Sequence, residues 1–220
     1  PNARWESKWG EAWSMERLVQ IQTQANVLNA ACGGTHGMFA LSSARNAYLQ
    51  TGQPLRGVWI EADQKIQRYI QEARQLQNSD GTFSSDYFRG RKLSNDYATR
   101  LQTSGHMLEW LMRGVSDAQL KEEWVRRGVA AMAKELIDHR KDTLECGSMY
   151  HTVDGLVIYR ERTTPKRLDP ASAPLAEAKP VLRAAVEAPV PVLQEPEPVA
   201  ETPTGDDAEV GGVTQDRSQE

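Results

Sequence analysis

Three of the four histidines in this sequence occupy the same place in a repeated unit, which opens with small residues and carries a leucine five residues after the histidine. An imidazole titrates near neutral pH, transfers protons and binds transition metals, so a recurring histidine is a candidate for chemistry. The copies are Cys32-Gly33-Gly34-Thr35-His36 with Leu41, Thr103-Ser104-Gly105-His106 with Leu111, and Cys146-Gly147-Ser148-Met149-Tyr150-His151 with Leu156.

The repeated unit predicts a stack of helical hairpins. After each of the first two copies comes a turn and a long helix with a tryptophan near its start, Trp59 and Trp124. Each hairpin in such an array buries its apolar face against its neighbours. If the histidine-bearing helices line the inside, their first turns meet at one rim and bring His36, His106 and His151 toward a common cavity.

We predict that this inner cavity, formed by the N-termini of the inner helices, binds a small ligand. Helix N-termini attract anions, and a histidine beside a carboxylate can transfer a proton or bind a metal. Glu109 and Asp154 each follow a histidine by three residues, about one helical turn. The candidate ligand-binding residues are His36, His106, Glu109, His151 and Asp154.

The repeat also has a purely structural interpretation. A histidine at a helix start can cap its own turn or bond the preceding repeat, and rings of helices usually hold such residues too far apart to share one ion. The sequence therefore predicts no metal site and no cofactor, assigns no catalytic residue, and leaves open whether the protein is an enzyme. Cys32 and Cys146 are interpreted as small buried residues, with a reactive thiol at a positive helix end as the alternative.

Apolar periodicity predicts that helices position these residues. Trp5, Trp9 and Trp13, followed by apolar residues at three-to-four spacing, predict one long N-terminal helix to about Leu28. Further helices are predicted over about 35–50, 56–77 and 104–113, and after a capping box at Ser116. Residues 148–161 fit either a β-hairpin or a helix, and we favour the helix because His151 and Leu156 match the repeat. The predicted fold class is all-α.

Composition divides the chain into a body, 1–162, and a tail, 163–220. The tail holds nine of the eleven prolines and no tryptophan, and its 11 acids against 5 bases give it a charge of −6. Such a Pro/Glu/Ala-rich acidic segment cannot bury enough apolar surface to fold, so we expect it to be disordered. The body carries 19 acids and 21 bases, so no general case exists for nucleic-acid binding.

No apolar run is long enough to span a membrane, and two cysteines make neither a disulfide framework nor a zinc-finger pattern. The chain begins with Pro1, so we expect the natural N-terminus to lie upstream, and the absence of a signal peptide says little about location. The compartment is not predicted.

The segment Gln77-Asn78-Ser79-Asp80-Gly81-Thr82-Phe83 fits the Gln-x-x-Asp-Gly-x-Trp motif with Phe83 in place of tryptophan. The body therefore resembles the α/α-toroid proteins with terpene-cyclase and prenyltransferase-type repeats, and also the C-terminal part of large bacterial proteins of planctomycete type. The resemblance implies an arc of an α/α toroid, an incomplete ring in which this motif is structural. It implies neither activity, because the aspartate-rich motif of the cyclases and the zinc ligands of the prenyltransferases are missing. A bacterial protein of this kind could lie in the cell envelope or the cytoplasm.

Two functions therefore remain open. In the first, the helical array binds a small molecule among the five candidate residues. In the second, it is a structural or interaction module that uses the helical surface, the Trp5/Trp9/Trp13 face and the acidic tail to bind a protein partner or a second copy of itself.

Overall fold

The computed structural model describes residues 1–143 and 145–164, and within these ranges the chain is mostly helical. The predicted all-α class is confirmed. The elements in chain order are β1 (Arg4–Glu6), β2 (Ala12–Ser14), α1 (Met15–Gln24), α2 (Thr35–Leu49), α3 (Val58–Leu76), α4 (Tyr97–Gly114), α5 (Glu123–Asp138) and α6 (Cys146–Thr163), with short 3₁₀ turns before α2 and before α5.

The N-terminal segment is a β-hairpin, so the predicted long helix through the three tryptophans is wrong. β1 and β2 pair antiparallel, and Trp5 stacks on Trp13 across the two strands at a centroid distance of 6.5 Å. Gly10 adopts a φ of +80° in the connecting turn, where Trp9 is exposed. A spacing of eight residues between Trp5 and Trp13 suits a hairpin as well as two helical turns. The helix itself begins at Met15, capped by the Ser14 hydroxyl.

The core lies where α4 packs against the other helices. α2 and α6 both contact α4, whereas α3 packs mainly on α1 and α2, and α5 packs on α4 and α6. Nearly every residue from Leu101 to Met112 is buried, including Glu109 and His106. The three helices that carry the repeated histidines are therefore neighbours in one layer.

Two helix starts differ from the sequence prediction. α4 begins at Tyr97 rather than near Ser104, because the Asp96 carboxylate caps its first turn by accepting from the Thr99 backbone N–H at 2.8 Å. The capping box of Ser116 and Gln119 does form, with reciprocal bonds of 2.8 and 3.2 Å, but it opens a short 3₁₀ turn. α5 starts only at Glu123.

Residues Gln77–Phe83, here called the Gln77 junction, follow α3 in the chain and are hydrogen-bonded to α5. The Gln77 amide nitrogen donates to the carbonyls of Gly81 and Trp124 at 2.9 Å each, and its oxygen accepts from Arg127 at 2.8 Å. The Asn78 amide bonds Thr82 and Phe83 within the same turn. These bonds fix the turn after α3 and tie it to the first turns of α5.

The ambiguous segment 148–161 is helical and belongs to α6. The Glu145 carboxylate caps this helix by accepting from the backbone N–H groups of Ser148 at 2.6 Å and Gly147 at 2.9 Å, and these bonds lower the pKa of Glu145. Most of the predicted tail, residues 165–220, lies outside the described residues. Among the described helices none is long and apolar enough to cross a membrane.

Candidate functional site

The three repeated histidines come together at one place, here called the histidine cluster (His36, His106 and His151). Their ring centroids lie 5.0 Å apart for His36 and His106, 5.3 Å for His36 and His151, and 3.9 Å for His106 and His151. The residues come from three different helices, α2, α4 and α6, and from positions up to 115 residues apart in the chain. The side chain of His36 is exposed and that of His106 is buried, so the cluster reaches from the core to solvent.

Glycines allow α4 and α6 to approach closely enough for this contact. A Cβ on Gly105, the residue before His106, would lie 2.3 Å from the Thr152 hydroxyl and 3.3 Å from the Ser148 carbonyl. A Cβ on Gly155 would lie 3.0 Å from the backbone nitrogen of Glu109. A side chain at either position would push the helices apart, and with them the imidazoles.

His106 is held in one tautomer by the helix that carries it. Its Nδ1 lies 2.6 Å from the Gln102 carbonyl oxygen. Because a carbonyl can only accept, Nδ1 carries the proton and Nε2 keeps a free lone pair. Burial lowers the pKa of His106, and the nearby His151 and His36 lower it further. The hydrogen bond to Gln102 acts in the opposite direction, but the net pKa is lowered. The ring is therefore neutral near pH 7.

His151 is oriented by a buried carboxylate. Its Nδ1 lies 2.8 Å from Oε2 of Glu109, whose side chain is only 8 % exposed. Burial raises the pKa of Glu109, while the bond to His151 lowers it and the neighbouring Asp154 raises it. With Glu109 as the acceptor, His151 also carries its proton on Nδ1 and leaves Nε2 free. Asp154 itself is half-buried and lies beside Glu109.

A strained turn brings Cys32 to the cluster. Cys32, Gly33 and Gly34 all have positive φ, at 50°, 60° and 78°, immediately before α2. Left-handed backbone is uncommon for a cysteine, and such conformations concentrate at functional sites. The two glycines are required by space as well, since a Cβ on Gly33 would lie 2.1 Å from the ring of Tyr87 and one on Gly34 would lie 2.6 Å from Val27.

Tyr87 forms the opposite wall of this turn and is the second non-glycine residue with positive φ in the described chain, at 53°. Burial raises the pKa of Tyr87 to about 12, and the nearby Cys32 adds to the rise. The Thr35 hydroxyl donates to the Cys32 carbonyl at 2.8 Å and fixes the turn to the start of α2. The backbone of Cys32 is therefore fixed relative to the start of α2.

Cys32, His36 and His106 could hold a metal ion. One potential ligand atom from each, the thiol sulfur and two ring nitrogens, lies within 4.8 Å of the others. In the part of the chain that the structure describes, Nε2 of His106 and of His151 has no hydrogen-bond partner, and neither has either ring nitrogen of His36. The arrangement thus combines a thiol with imidazole lone pairs that the protein itself leaves unused.

The structure brings all five sequence-predicted residues into one neighbourhood, although not in the predicted way. Only His36 lies at a helix start, whereas His106 lies in the middle of α4 and His151 lies on the second turn of α6. The fourth histidine, His139, is elsewhere, bonded to Asp142 at 2.6 Å and stacked on Tyr97 at 3.6 Å.

Sequence reasoning treated Cys32 and Cys146 as equivalent, and this was wrong. Cys146 is exposed at the first residue of α6, whereas Cys32 is half-buried beside the cluster. The spacing of Cys32 and His36, four residues apart at a helix start, was the signal that could have separated the two cysteines. It is a weak signal, because the residue that completes this group, His106, comes from a distant helix.

Comparison with family models, curated proteins and solved structures finds no match to this chain.

Proposed function

We propose that this helical domain binds a small ligand at the histidine cluster. The observation that carries the proposal is the meeting of three imidazoles from three separate helices, with ring nitrogens that have no partner in the described chain. In the described chain these nitrogens are not among the fully buried polar atoms that lack a partner, so their lone pairs are accessible to a ligand.

The packing of the imidazoles supports the same function. Stacked apolar side chains would fill the space between α2, α4 and α6 with less desolvation than imidazoles do. His36 gives the cluster an opening, because its side chain is exposed whereas His106 behind it is only 5 % exposed. A ligand can approach the cluster from the side of His36.

A thermal-shift screen of the chain without a polyhistidine tag tests the proposal. The panel contains carbohydrates, phosphates, isoprenoids and divalent metal ions. At about 100 times its dissociation constant a ligand stabilises the folded state by about 2.7 kcal/mol, which raises the Tm of a domain this size by about 5–10 °C. We expect at least one panel member to do so in the wild type and in His139→Ala, but not in His36→Ala. No shift with any panel member, or an equal shift in His36→Ala, would contradict the proposal.

An interaction module is the second candidate, and exposed apolar side chains at one end of the chain favour it. Trp9 is 77 % exposed at the tip of the N-terminal hairpin, and Ile21 is 48 % exposed on α1. A pull-down with the full chain, with the chain lacking residues 163–220, and with Trp9→Ser tests this candidate. Identical partners in all three would count against both the tail and the hairpin as binding surfaces.

The architecture proposed for this site is still the arc of an α/α toroid. Its support is the layering of the helices, in which the histidine-bearing α2, α4 and α6 are neighbours and α3 and α5 pack on them. In a toroid the cluster would face the inner hollow.

A further inference from the structure

We infer that the ligand of the histidine cluster is a divalent transition-metal ion, with Zn²⁺ as the best fit, bound by the thiolate of Cys32 and the imidazoles of His36 and His106. This inference rests on the proposed ligand-binding function of the cluster and names the chemical class of the ligand.

The charges of the cluster favour a cation over an anion. An anionic ligand would need protonated imidazoles, and rings with centroids 3.9–5.3 Å apart repel one another when charged. The buried carboxylate of Glu109 would repel an anion as well. A divalent cation instead takes neutral imidazoles and a thiolate, and its charge offsets those of the thiolate and of Glu109.

The ligand types and their spacing fit zinc. Zinc prefers sulfur and imidazole nitrogen in a tetrahedral arrangement, at about 2.3 Å and 2.0–2.1 Å, so its ligand atoms lie about 3.5 Å apart. The three ligand atoms here lie within 4.8 Å of one another. Small side-chain rotations are enough to close the remaining gap, and the exposed side chain of His36 is free to make them.

The surroundings of His106 match those of a metal ligand. A metal-binding histidine usually donates its second ring nitrogen to a carbonyl or a carboxylate, which fixes the ring and leaves the other nitrogen for the metal. His106 donates Nδ1 to the Gln102 carbonyl at 2.6 Å, and His151 donates to Glu109 at 2.8 Å. His151, whose ring lies next to those of both His106 and His36, is adjacent to the three proposed ligands.

The backbone at Cys32 supplies the remaining part of the site. Three successive left-handed residues and the wall formed by Tyr87 hold the cysteine four residues before His36, beside an imidazole from another helix. A buried structural cysteine needs no such turn. The left-handed backbone at Cys32 is explained if metal binding requires the sulfur at this position.

Zinc titration by calorimetry and cobalt substitution of the tag-free chain test the inference. We expect one Zn²⁺ per chain, and a Co²⁺ form with the visible bands of tetrahedral cobalt and an ultraviolet thiolate-to-cobalt charge-transfer band. Cys32→Ser should abolish the charge-transfer band. It should also weaken zinc binding by more than about 100-fold, the upper end of the loss caused by removing an outer-shell partner. Cys146→Ser, the matched control at an exposed cysteine, should leave both unchanged.

His36→Ala and His106→Gln complete the set. His36 is exposed, so its replacement leaves the fold intact, and circular dichroism of the metal-free variants checks this. Both variants should weaken zinc binding at least as much as Cys32→Ser does. An octahedral cobalt spectrum, a charge-transfer band that survives in Cys32→Ser, or zinc binding lost equally in Cys146→Ser would overturn the inference.

The two proposals fail in different ways. If a phosphate, carbohydrate or isoprenoid shifts the Tm through His36 while zinc does not bind, the metal inference is wrong and the ligand site stands. If neither zinc nor any other panel member binds, both are wrong.

Discussion

The Gln77 junction and the histidine cluster both bury polar side chains between helices, but they differ in where the hydrogen bonds of those side chains go. At the junction the amide of Gln77 has three partners, and the Asp80 carboxylate accepts from the backbone and the hydroxyl of Thr82. At the cluster one nitrogen of His106 and one of His151 are bonded, and the other is not. A polar site whose side chains make all their hydrogen bonds within the protein stabilises the fold. A site in which ring nitrogens keep unbonded lone pairs is available to a ligand.

The two sites also use glycine differently. Gly81 at the junction has a φ of +91°, and a Cβ there would lie 2.7 Å from the Arg127 carbonyl, so it lets a turn meet α5. Gly105 and Gly155 lie inside regular helices and let α4 and α6 meet along their length. The first arrangement fixes a turn against a helix, and the second places histidine side chains of different helices side by side.

The largest effect is expected from Gln77→Ala. The side chain is 4 % exposed, and its loss leaves two carbonyls and the Arg127 guanidinium without their partner. We expect the free energy of unfolding to fall by about 2–4 kcal/mol, measured by urea denaturation. If the junction is only structural, ligand binding at the cluster should keep its affinity in the folded fraction. A loss of affinity without a loss of stability would break the distinction between the two sites.

A somewhat smaller effect is expected from Gly105→Ala. The new methyl group meets the Thr152 hydroxyl and the backbone of α6, and overpacking of this kind costs about 1–3 kcal/mol. Unlike Gln77→Ala, this variant should also weaken ligand binding, because it separates His106 from His151. The double variant Gly105→Ala/Thr152→Ala, which removes the hydroxyl, serves as a control and should recover part of both losses. No change in binding for Gly105→Ala would mean that the helix spacing does not set the site.

Two substitutions of Glu109 distinguish the effect of its charge from the effect of its hydrogen bond to His151. Glu109→Ala leaves Nδ1 of His151 without its acceptor and should destabilise the fold by about 1–3 kcal/mol. Glu109→Gln keeps an acceptor oxygen and removes a buried charge, so its free energy of unfolding should stay closer to that of the wild type. Equal losses in both variants would show that the carboxylate charge, rather than the acceptor, holds His151.

The smallest effect on stability is expected from His36→Ala. Its side chain is exposed and makes no hydrogen bond in the described chain, so the free energy of unfolding without ligand should change by less than about 0.5 kcal/mol. Removal of metal from the wild type with a chelator should lower its Tm, whereas the Tm of His36→Ala should not respond. A chelator response that is the same in both proteins would contradict a ligand role for His36.

The sequence predicted the parts of the fold that local patterns decide. α2 and α3 lie within two residues of their predicted bounds, because apolar residues recur at helical spacing and Gly52 and Pro54 separate the two helices. The start of α4 was missed because the prediction followed the repeat to Ser104 and overlooked the Asp96 cap. The N-terminal hairpin was missed because its tryptophan spacing also fits a helix.

The candidate site was predictable only in part. The repeat indicated that His36, His106 and His151 would meet, since it placed them at matching positions of neighbouring units. It could not indicate which nitrogens stay free, because that depends on the Gln102 carbonyl and on Glu109. Nor could it separate Cys32 from Cys146, because the left-handed turn at Cys32 depends on contacts with Tyr87 and Val27.

Nitrogen-15 NMR of the imidazole rings is the most direct test, since it reports the tautomer of each histidine and its response to zinc in one titration of the tag-free chain. The account predicts that His106 and His151 carry their proton on Nδ1 before zinc is added. It also predicts that zinc then shifts the ring nitrogens of His36 and His106 and leaves those of His139 unchanged. Protonation on Nε2 of His106, or a zinc response at His139 as large as that at His36 and His106, would contradict it.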